Sequence, residues 1–229
     1  MEILRIENLC KYYDIGDMTL KVLKDINLTV FQGEYLAIMG PSGSGKSTML
    51  NQLGCLDKPT SGKYFLGDQD VALLDDNALS AIRGERIGFV FQSYNLIAQL
   101  NVVENIQVPM YYQGVSERES IRRATEMAQL VGLGDRLGHR PFEMSGGQQQ
   151  RVGIARALVN NPLIVLADEP TGNLDSSSGG EILDILDGLR QQGKTLVIVT
   201  HDDNIAKRAS RVIHMRDGVI DRIEVKGDG

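Results

Sequence analysis

Short apolar stretches separated by polar turns run along most of the chain and predict an α/β fold. Two of them, at 163–167 and 196–200, are continuously apolar, which is typical of parallel strands buried on both faces. Stretches nearer the start alternate more, which favours an antiparallel sheet with one solvated face. Strands are predicted at 3–9, 26–30, 35–39, 87–91, 163–167, 196–200 and 212–215, and helices at 47–53, 78–83, 179–191 and 204–209.

The stretch from 93 to 158 has no convincing strand pattern and predicts an inserted lobe of helices. Its clearest helix covers 116–131, with Ser116 as the N-cap and Glu119 completing a capping box. The apolar stripe of this helix is expected at Ile121, Ala124, Ala128, Leu130 and Val131. We therefore expect a single domain. Residues 1–92 and 159–229 would form a core with an antiparallel β subdomain, and residues 93–158 a helical subdomain.

Net charge, cysteine spacing and the length of apolar runs limit the kinds of partner that we expect. The net charge is −6 over 229 residues and Lys and Arg form no long run, so a nucleic-acid partner is not expected. Cys10 and Cys55 lack metal-ligand spacing and are expected to be reduced, half-buried thiols. The first residues resemble a strand rather than a signal peptide, and no apolar run approaches the roughly 20 residues that cross a bilayer. Any membrane connection is therefore expected to come through a partner.

A glycine-rich stretch at 40–47 fits G-x-x-x-x-G-K-S without a mismatch and lies between a predicted strand and a predicted helix. Such a turn lets backbone N–H groups surround a polyphosphate at the positive end of a helix. Lys46 would reach the terminal phosphates, and the Ser47 hydroxyl would bind Mg²⁺. The stretch therefore predicts a nucleoside triphosphate site. Its expected contacts are Gly40, Ser42, Gly43, Ser44, Gly45, Lys46, Ser47 and Thr48.

Two adjacent carboxylates end the apolar strand predicted at 163–167. Asp168, at the end of the strand, would hold Mg²⁺ beside Ser47. Glu169 would polarise the attacking water. Since neighbouring residues of a strand point to opposite sides, we expect the two acids to have separate roles. Downstream of the phosphate loop, this pair predicts hydrolysis.

A second helix start, Ser-Gly-Gly-Gln at 145–148, matches a capping box in which Ser145 and Gln148 are the reciprocal partners. Glycine costs roughly 1 kcal/mol against alanine in a helix, so the successive Gly146 and Gly147 need a reason. A bare backbone at a helix N-terminus lets a phosphate come close. Because the loop at 40–47 already serves this chain's own nucleotide, we interpret 145–148 as serving the nucleotide of another subunit.

In this order, the motifs resemble the ATPase subunit of ABC transporters over essentially the whole chain. The resemblance implies a P-loop NTPase with a mixed core sheet, ATP and Mg²⁺ as cofactors, and an ATP-dependent homodimer. It adds Gln92 as the Q-loop glutamine, Asp175 as the D-loop acid and His201 as the switch histidine. It also places Tyr13 against adenine, with Tyr12 as a rival for that role. Catalytic roles are implied for Lys46, Gln92, Glu169 and His201, and metal contacts for Ser47, Gln92 and Asp168.

The finer resemblance is to the MacB/LolD group of ABC ATPases, carried by 39–51, 54–62, 88–92 and 158–172. It implies a MacB/FtsX-like permease, a position on the inner face of the cell membrane through that permease, and export or extraction of a drug, peptide or lipoprotein. The rival classes are an ABC ATPase with a soluble scaffold partner, as in iron–sulfur assembly, and a metabolic P-loop kinase. Two positions depart from the family pattern: Met144 stands for the usual leucine, and Gly-Asn at 172–173 for the usual Ser-Ala.

Overall fold

The structure, a computed structural model, describes residues 1–226 and contains two sheets. A four-stranded antiparallel sheet has the order β2-β1-β4-β5, and a six-stranded sheet has the order β10-β9-β3-β8-β7-β6. In the larger sheet only β10 is antiparallel to its neighbour. The strands are β1 (Glu2–Ile15), β2 (Met18–Phe31), β3 (Tyr35–Met39), β4 (Ser61–Leu66), β5 (Gln69–Asp70), β6 (Ile87–Val90), β7 (Ile164–Asp168), β8 (Leu196–Val199), β9 (Arg211–Arg216) and β10 (Val219–Val225).

Seven α-helices occur within the described residues. They are α1 (Lys46–Leu53), α2 (Asp76–Arg86), α3 (Val102–Tyr112), α4 (Glu117–Leu130), α5 (Gly146–Leu158), α6 (Ser176–Gln191) and α7 (Asp203–Arg208). Between β6 and β7 the chain forms only helices and turns, with α3, α4 and α5 packed on one another. None of the helices in residues 1–226 has the length and apolar character that a membrane crossing requires.

Two hydrophobic cores lie on opposite faces of the six-stranded sheet. Alternate residues of β3 enter different cores: Leu36 and Ile38 pack towards the antiparallel sheet and α1, and Tyr35 and Ala37 pack towards the helices. The strands β7 and β8 divide in the same way. Burial on both faces explains why these strands are continuously apolar in the sequence.

The helix predicted at 116–131 is present as α4, but two of its details were wrong. Ser116 is the N-cap residue without a side-chain cap hydrogen bond, and Glu119 pairs with Arg122 instead of closing a capping box. Ile121 and Leu130 are exposed, whereas Ala124, Ala128 and Val131 are buried as expected. The buried stripe is therefore made of small residues, which let α4 approach its neighbours closely.

The two cysteines also differ from expectation. Cys10 and Cys55 are free thiols, as predicted, but both are buried rather than half-buried. Burial raises the pKa of Cys55 to about 11, so this thiol stays protonated near neutral pH.

Candidate nucleotide-binding site

The phosphate loop joins the end of β3 to the start of α1. Gly45 caps α1 with a φ of 99°, and Gly43 has a φ of 79°, conformations that favour glycine. At Gly40, a Cβ would lie 2.3 Å from the carbonyl oxygen of Met215, so a side chain cannot fit there. These glycines therefore hold the loop against β9 while exposing its backbone at a helix N-terminus, where anions are favoured.

The Lys46 ammonium lies across the loop, where Nζ donates to the carbonyl oxygens of Gly40 at 2.8 Å and Pro41 at 3.0 Å. The Ser44 hydroxyl is buried and has no hydrogen-bond partner in the structure. Ser42 and Ser47 are exposed, and Thr48 is half-buried. The Lys46 ammonium is thus held by neutral carbonyls, and the buried Ser44 hydroxyl is unpaired. A phosphate oxygen would accept a hydrogen bond from either group.

The two acids at the end of β7 have different surroundings. Asp168 is the last residue of the strand and is half-buried. Burial and the neighbouring Glu169 charge raise the pKa of Asp168, while Lys46 opposes this shift. Glu169 lies beyond the strand with a φ of 44°, so strand alternation does not decide where it points, and that part of the sequence argument was wrong.

The Glu169 carboxylate is held from the end of β8. Its Oε1 lies 2.7 Å from Nδ1 of the exposed His201, and its Oε2 accepts a hydrogen bond from the Thr200 hydroxyl at 3.2 Å. The hydrogen bond to Glu169 and the negative charge of that residue raise the pKa of His201. The two residues therefore form one polar pair, although 32 positions separate them in the chain.

Gln92, two residues beyond β6, is paired with the segment before α6. Its Nε2 donates to Asn173 Oδ1 at 3.4 Å, and Asn173 Nδ2 donates back to the Gln92 carbonyl oxygen at 3.0 Å. Asp175 caps α6 by accepting hydrogen bonds from the backbone N–H groups of Ser177 and Ser178, which lower its pKa. The Gly-Asn start at 172–173 thus joins these two segments directly.

The capping box at the start of α5 is confirmed. Ser145 Oγ accepts from the Gln148 N–H at 3.3 Å, and Gln148 Oε1 accepts from the Ser145 N–H at 3.0 Å. The glycines also have a reason inside the chain. A Cβ on Gly146 would lie 2.7 Å from the Tyr94 hydroxyl, and one on Gly147 would lie 3.0 Å from Ser178 Cβ. Close packing therefore leaves little room for side chains here, a cause that the sequence does not reveal.

The structure gathers most of the predicted residues at one edge of the larger sheet. Asp168 ends β7, and Gly40, Gln92 and His201 follow the C-terminal ends of β3, β6 and β8, where ligands bind in open parallel sheets. The 145–148 helix start is different. Among residues 1–226, no hydrogen bond or ion pair joins it to the loop at 40–48, and its two glycines lie next to Tyr94, Leu174 and Ser178.

The two candidate tyrosines lie on β1 with different neighbours. The Tyr13 hydroxyl donates to Asp57 Oδ2 at 2.7 Å and is also close to Thr48, beside the phosphate loop. Tyr12 interacts with the Cys10 thiol, and the Lys21 ammonium lies 5.2 Å from the centre of its ring. Of the two, Tyr13 is the one connected to α1.

The sequence patterns gave no role to Gln150 in α5 or to Tyr94, and they marked Asn173 only as a departure from the family pattern. Gln150 is fully buried and its Nε2 donates to the Pro170 carbonyl oxygen at 2.7 Å, directly after Glu169. A run of three glutamines at 148–150 gives no signal of which one is buried. Only the direction of the helix relative to the sheet distinguishes them.

Comparison with known proteins identifies the class. The ABC transporter family profile matches residues 23–172. A Thermotoga maritima protein described as an uncharacterized ABC transporter ATP-binding protein is 50% identical over 226 residues, covering 99% of this chain and 97% of the relative. The macrolide export ATP-binding/permease protein MacB of Bartonella quintana is 50% identical over 96% of this chain, which spans 33% of MacB.

A solved structure agrees with these relatives. The ATP-binding cassette MJ0796, a dimer in a post-hydrolysis state bound to ADP and Pi, superposes with a TM-score of 0.90 at 45% identity, covering 99% of this chain and 100% of MJ0796. The chain therefore belongs to the ABC transporter family and is an ATP-binding cassette with the fold of an ABC ATPase. Since MacB is about three times as long, its complete activity does not transfer to this chain directly.

Proposed function

We propose that two copies of this chain enclose two ATP molecules and that closure of the dimer drives a MacB/FtsX-like permease. The observation that carries the proposal is the position of the 145–148 helix start. It has the bare backbone of an anion site, yet it packs on its own Tyr94 and Ser178 rather than on its own phosphate loop. A second copy is the simplest source of a phosphate for it. The dimeric state described for MJ0796 supports this arrangement.

Within one site, the loop from Gly40 to Thr48 would bind the phosphates, with Lys46 moving from its carbonyl partners to the terminal phosphate. Glu169 would accept a proton from the water that attacks the γ-phosphorus, and the bond to the bridging oxygen would break to give ADP and phosphate. His201 would orient that carboxylate and contact the γ-phosphate. Tyr13 would lie against adenine. Ser145, Gly146, Gly147 and Gln148 of the second copy would complete the site, with Asp175 beside the shared interface.

The residues present also fit Mg²⁺. Desolvation and the charge of Glu169 raise the pKa of Asp168, so this carboxylate is an anion without full compensation. No cluster of three or more His, Cys, Asp or Glu side chains in residues 1–226 forms a metal site by itself. Asp168, the Ser47 hydroxyl and the Gln92 amide are hard oxygen ligands that would hold Mg²⁺ together with phosphate oxygens. The ion would neutralise charge on the phosphates.

The rest of the chain would carry closure to a membrane partner. The helical subdomain at 93–158 would move with the Q-loop at Gln92, and residues 91–100 would line the groove for the permease. The chain spans 33% of MacB, and a permease of the MacB/FtsX-like type would hold it at the inner face of the cell membrane. The exported or extracted substrate would be set by that permease.

The test uses Glu169→Gln, which keeps the shape of the side chain but removes the base. With Mg-ATP, we expect this variant to bind nucleotide, to turn over at least 100-fold more slowly and to elute with the mass of two chains in size-exclusion chromatography with light scattering. Lys46→Ala should lose nucleotide binding and stay monomeric. If Glu169→Gln stays monomeric while Mg-ATP is bound, the proposed dimer is wrong.

A further inference from the structure

The turn that carries Glu169 needs external support. Glu169 has a φ of 44°, which lies in the left-handed helical region. The following Pro170 disfavours helical backbone conformations for Glu169, so this conformation costs free energy. Two backbone hydrogen bonds hold the turn, from the Glu169 N–H to the Val199 carbonyl oxygen and from the Gly172 N–H to the Glu169 carbonyl oxygen, each 2.9 Å long. Such a conformation persists only where its surroundings determine it.

A third restraint comes from a different part of the fold, the helix α5. Gln150 donates from Nε2 to the Pro170 carbonyl oxygen at 2.7 Å in the interior of the protein. Its Oε1 is buried without a hydrogen-bond partner. An unpaired buried oxygen is costly, and an apolar side chain of the same length would avoid that cost. The presence of an amide here despite that cost points to a need for the contact with Pro170.

The same helix begins at the site proposed to bind the nucleotide of the second copy. Gln150 follows Ser145 by five residues, about 7.5 Å along the helix axis. An α-helix of this length moves as a rigid unit, so displacement of its first turn also displaces Gln150. Through Pro170, that displacement reaches the backbone of Glu169.

We infer that Gln150 is a positioning residue for the hydrolysis of ATP. It sets the Glu169 turn through the Pro170 carbonyl, and so couples the start of α5 to the catalytic carboxylate of the same chain. The coupling between two nucleotides rests on the proposed dimer, whereas the support of the Glu169 turn does not. The contacts between ATP and the phosphate loop would not involve Gln150 or Pro170.

The first test replaces Gln150 with Met, which keeps the length of the side chain and removes the donor. We expect kcat for ATP hydrolysis to fall about tenfold, while KM for ATP changes less than twofold. Asn160→Leu is the matched control. Asn160 Nδ2 also donates to a backbone carbonyl, that of Gly84 at 2.9 Å, and its Oδ1 is also buried and unpaired. This control should keep the kcat of the original chain.

A second variant separates the hydrogen bond from packing. In Gln150→Glu, burial should raise the pKa of the new carboxyl, and its neutral form has an O–H donor for Pro170. Relative to the unmodified protein, kcat of this variant should therefore recover as pH falls from 8 to 6. Either an unchanged kcat in Gln150→Met, or equal losses in Gln150→Met and Asn160→Leu together with a flat pH ratio for Gln150→Glu, would overturn the inference.

Measurement of the ATP-bound dimer tests the proposed function separately from the proposed role of Gln150. Gln150→Met combined with Glu169→Gln should still form the ATP-bound dimer, because the proposed contacts of Lys46 and Ser145 are intact. If Glu169→Gln alone does not dimerise, the proposed function fails. In that case the kcat of Gln150→Met still decides whether Gln150 supports the Glu169 turn.

Discussion

At the scale of single residues, the surroundings of Tyr12 and Tyr13 favour Tyr13 of the two candidates that the sequence left open. Tyr13 is connected to α1, because its hydroxyl bonds Asp57 and is close to Thr48. Burial and the bond to Asp57 raise the pKa of Tyr13 to about 12. Its phenol therefore stays neutral, and its hydroxyl is held by the side chains of Asp57 and Thr48. Tyr12 interacts with Cys10 instead.

This difference gives a prediction for ATP affinity. Stacking of a base on an aromatic ring contributes about 1–3 kcal/mol. We therefore expect Tyr13→Ala to weaken ATP binding by roughly tenfold or more, measured by isothermal titration calorimetry on the Glu169→Gln background. Tyr12→Ala, a truncation of the same size one residue away, should change the affinity less than threefold. The opposite ranking would assign the adenine contact to Tyr12.

The residues of the site could be named from the sequence, but their partners could not. The loop at 40–47 and the Asp168–Glu169 pair were recognisable because their chemistry depends on spacing within a few residues. The Glu169–His201 and Gln92–Asn173 pairs join strand ends that are 32 and 81 positions apart. Such pairs depend on strand order, which short-range patterns do not contain.

At the scale of elements, burial explains which strands and helices were predicted. The strands β3, β7 and β8 are buried on both faces and gave continuous apolar runs. In contrast, β10 has no buried residue and β4 begins with three exposed residues, so neither shows a clear alternation of apolar and polar residues. The helix α3 lies in the stretch predicted to be helical, but its bounds were not predicted, and Pro109 inside it argues against a continuous helix.

Helix caps give a prediction that separates stability from function. The box at the start of α5 pairs Ser145 with Gln148, and a similar box at the start of α3 pairs Asn101 with Glu104. Losing such a cap costs about 1 kcal/mol. Ser145→Ala and Asn101→Ala should therefore lower the free energy of unfolding by similar amounts in urea denaturation.

Only one of these caps lies at the proposed interface. On the Glu169→Gln background, Ser145→Ala should weaken the ATP-bound dimer by at least tenfold in dissociation constant, as expected for a lost hydrogen bond to a charged group. Asn101→Ala should leave the dimer unchanged. Equal effects of the two variants on dimerisation would mean that Ser145 acts through helix stability alone.

At the scale of the whole molecule, the fold separates two surfaces that ATP is proposed to connect. The phosphate loop and the Glu169–His201 pair lie at the ends of the parallel strands, and the start of α5 packs on Tyr94 and Ser178. Two separate binding free energies therefore govern a nucleotide that is bound by one chain. One is its affinity for a single chain, and the other is the affinity of that complex for a second chain.

Thermal unfolding should show both steps. A ligand at 100 times its dissociation constant stabilises the folded state by about 2.7 kcal/mol, which corresponds to roughly 5–11 °C for a chain of this size. For Glu169→Gln with Mg-ATP, we expect this shift and a further rise of Tm with protein concentration, because dimerisation follows mass action. With ADP the concentration dependence should disappear. Adding Ser145→Ala should keep the first shift and reduce the second, whereas Lys46→Ala should remove both. A Tm that is independent of protein concentration for Glu169→Gln with ATP would contradict a nucleotide shared between two chains.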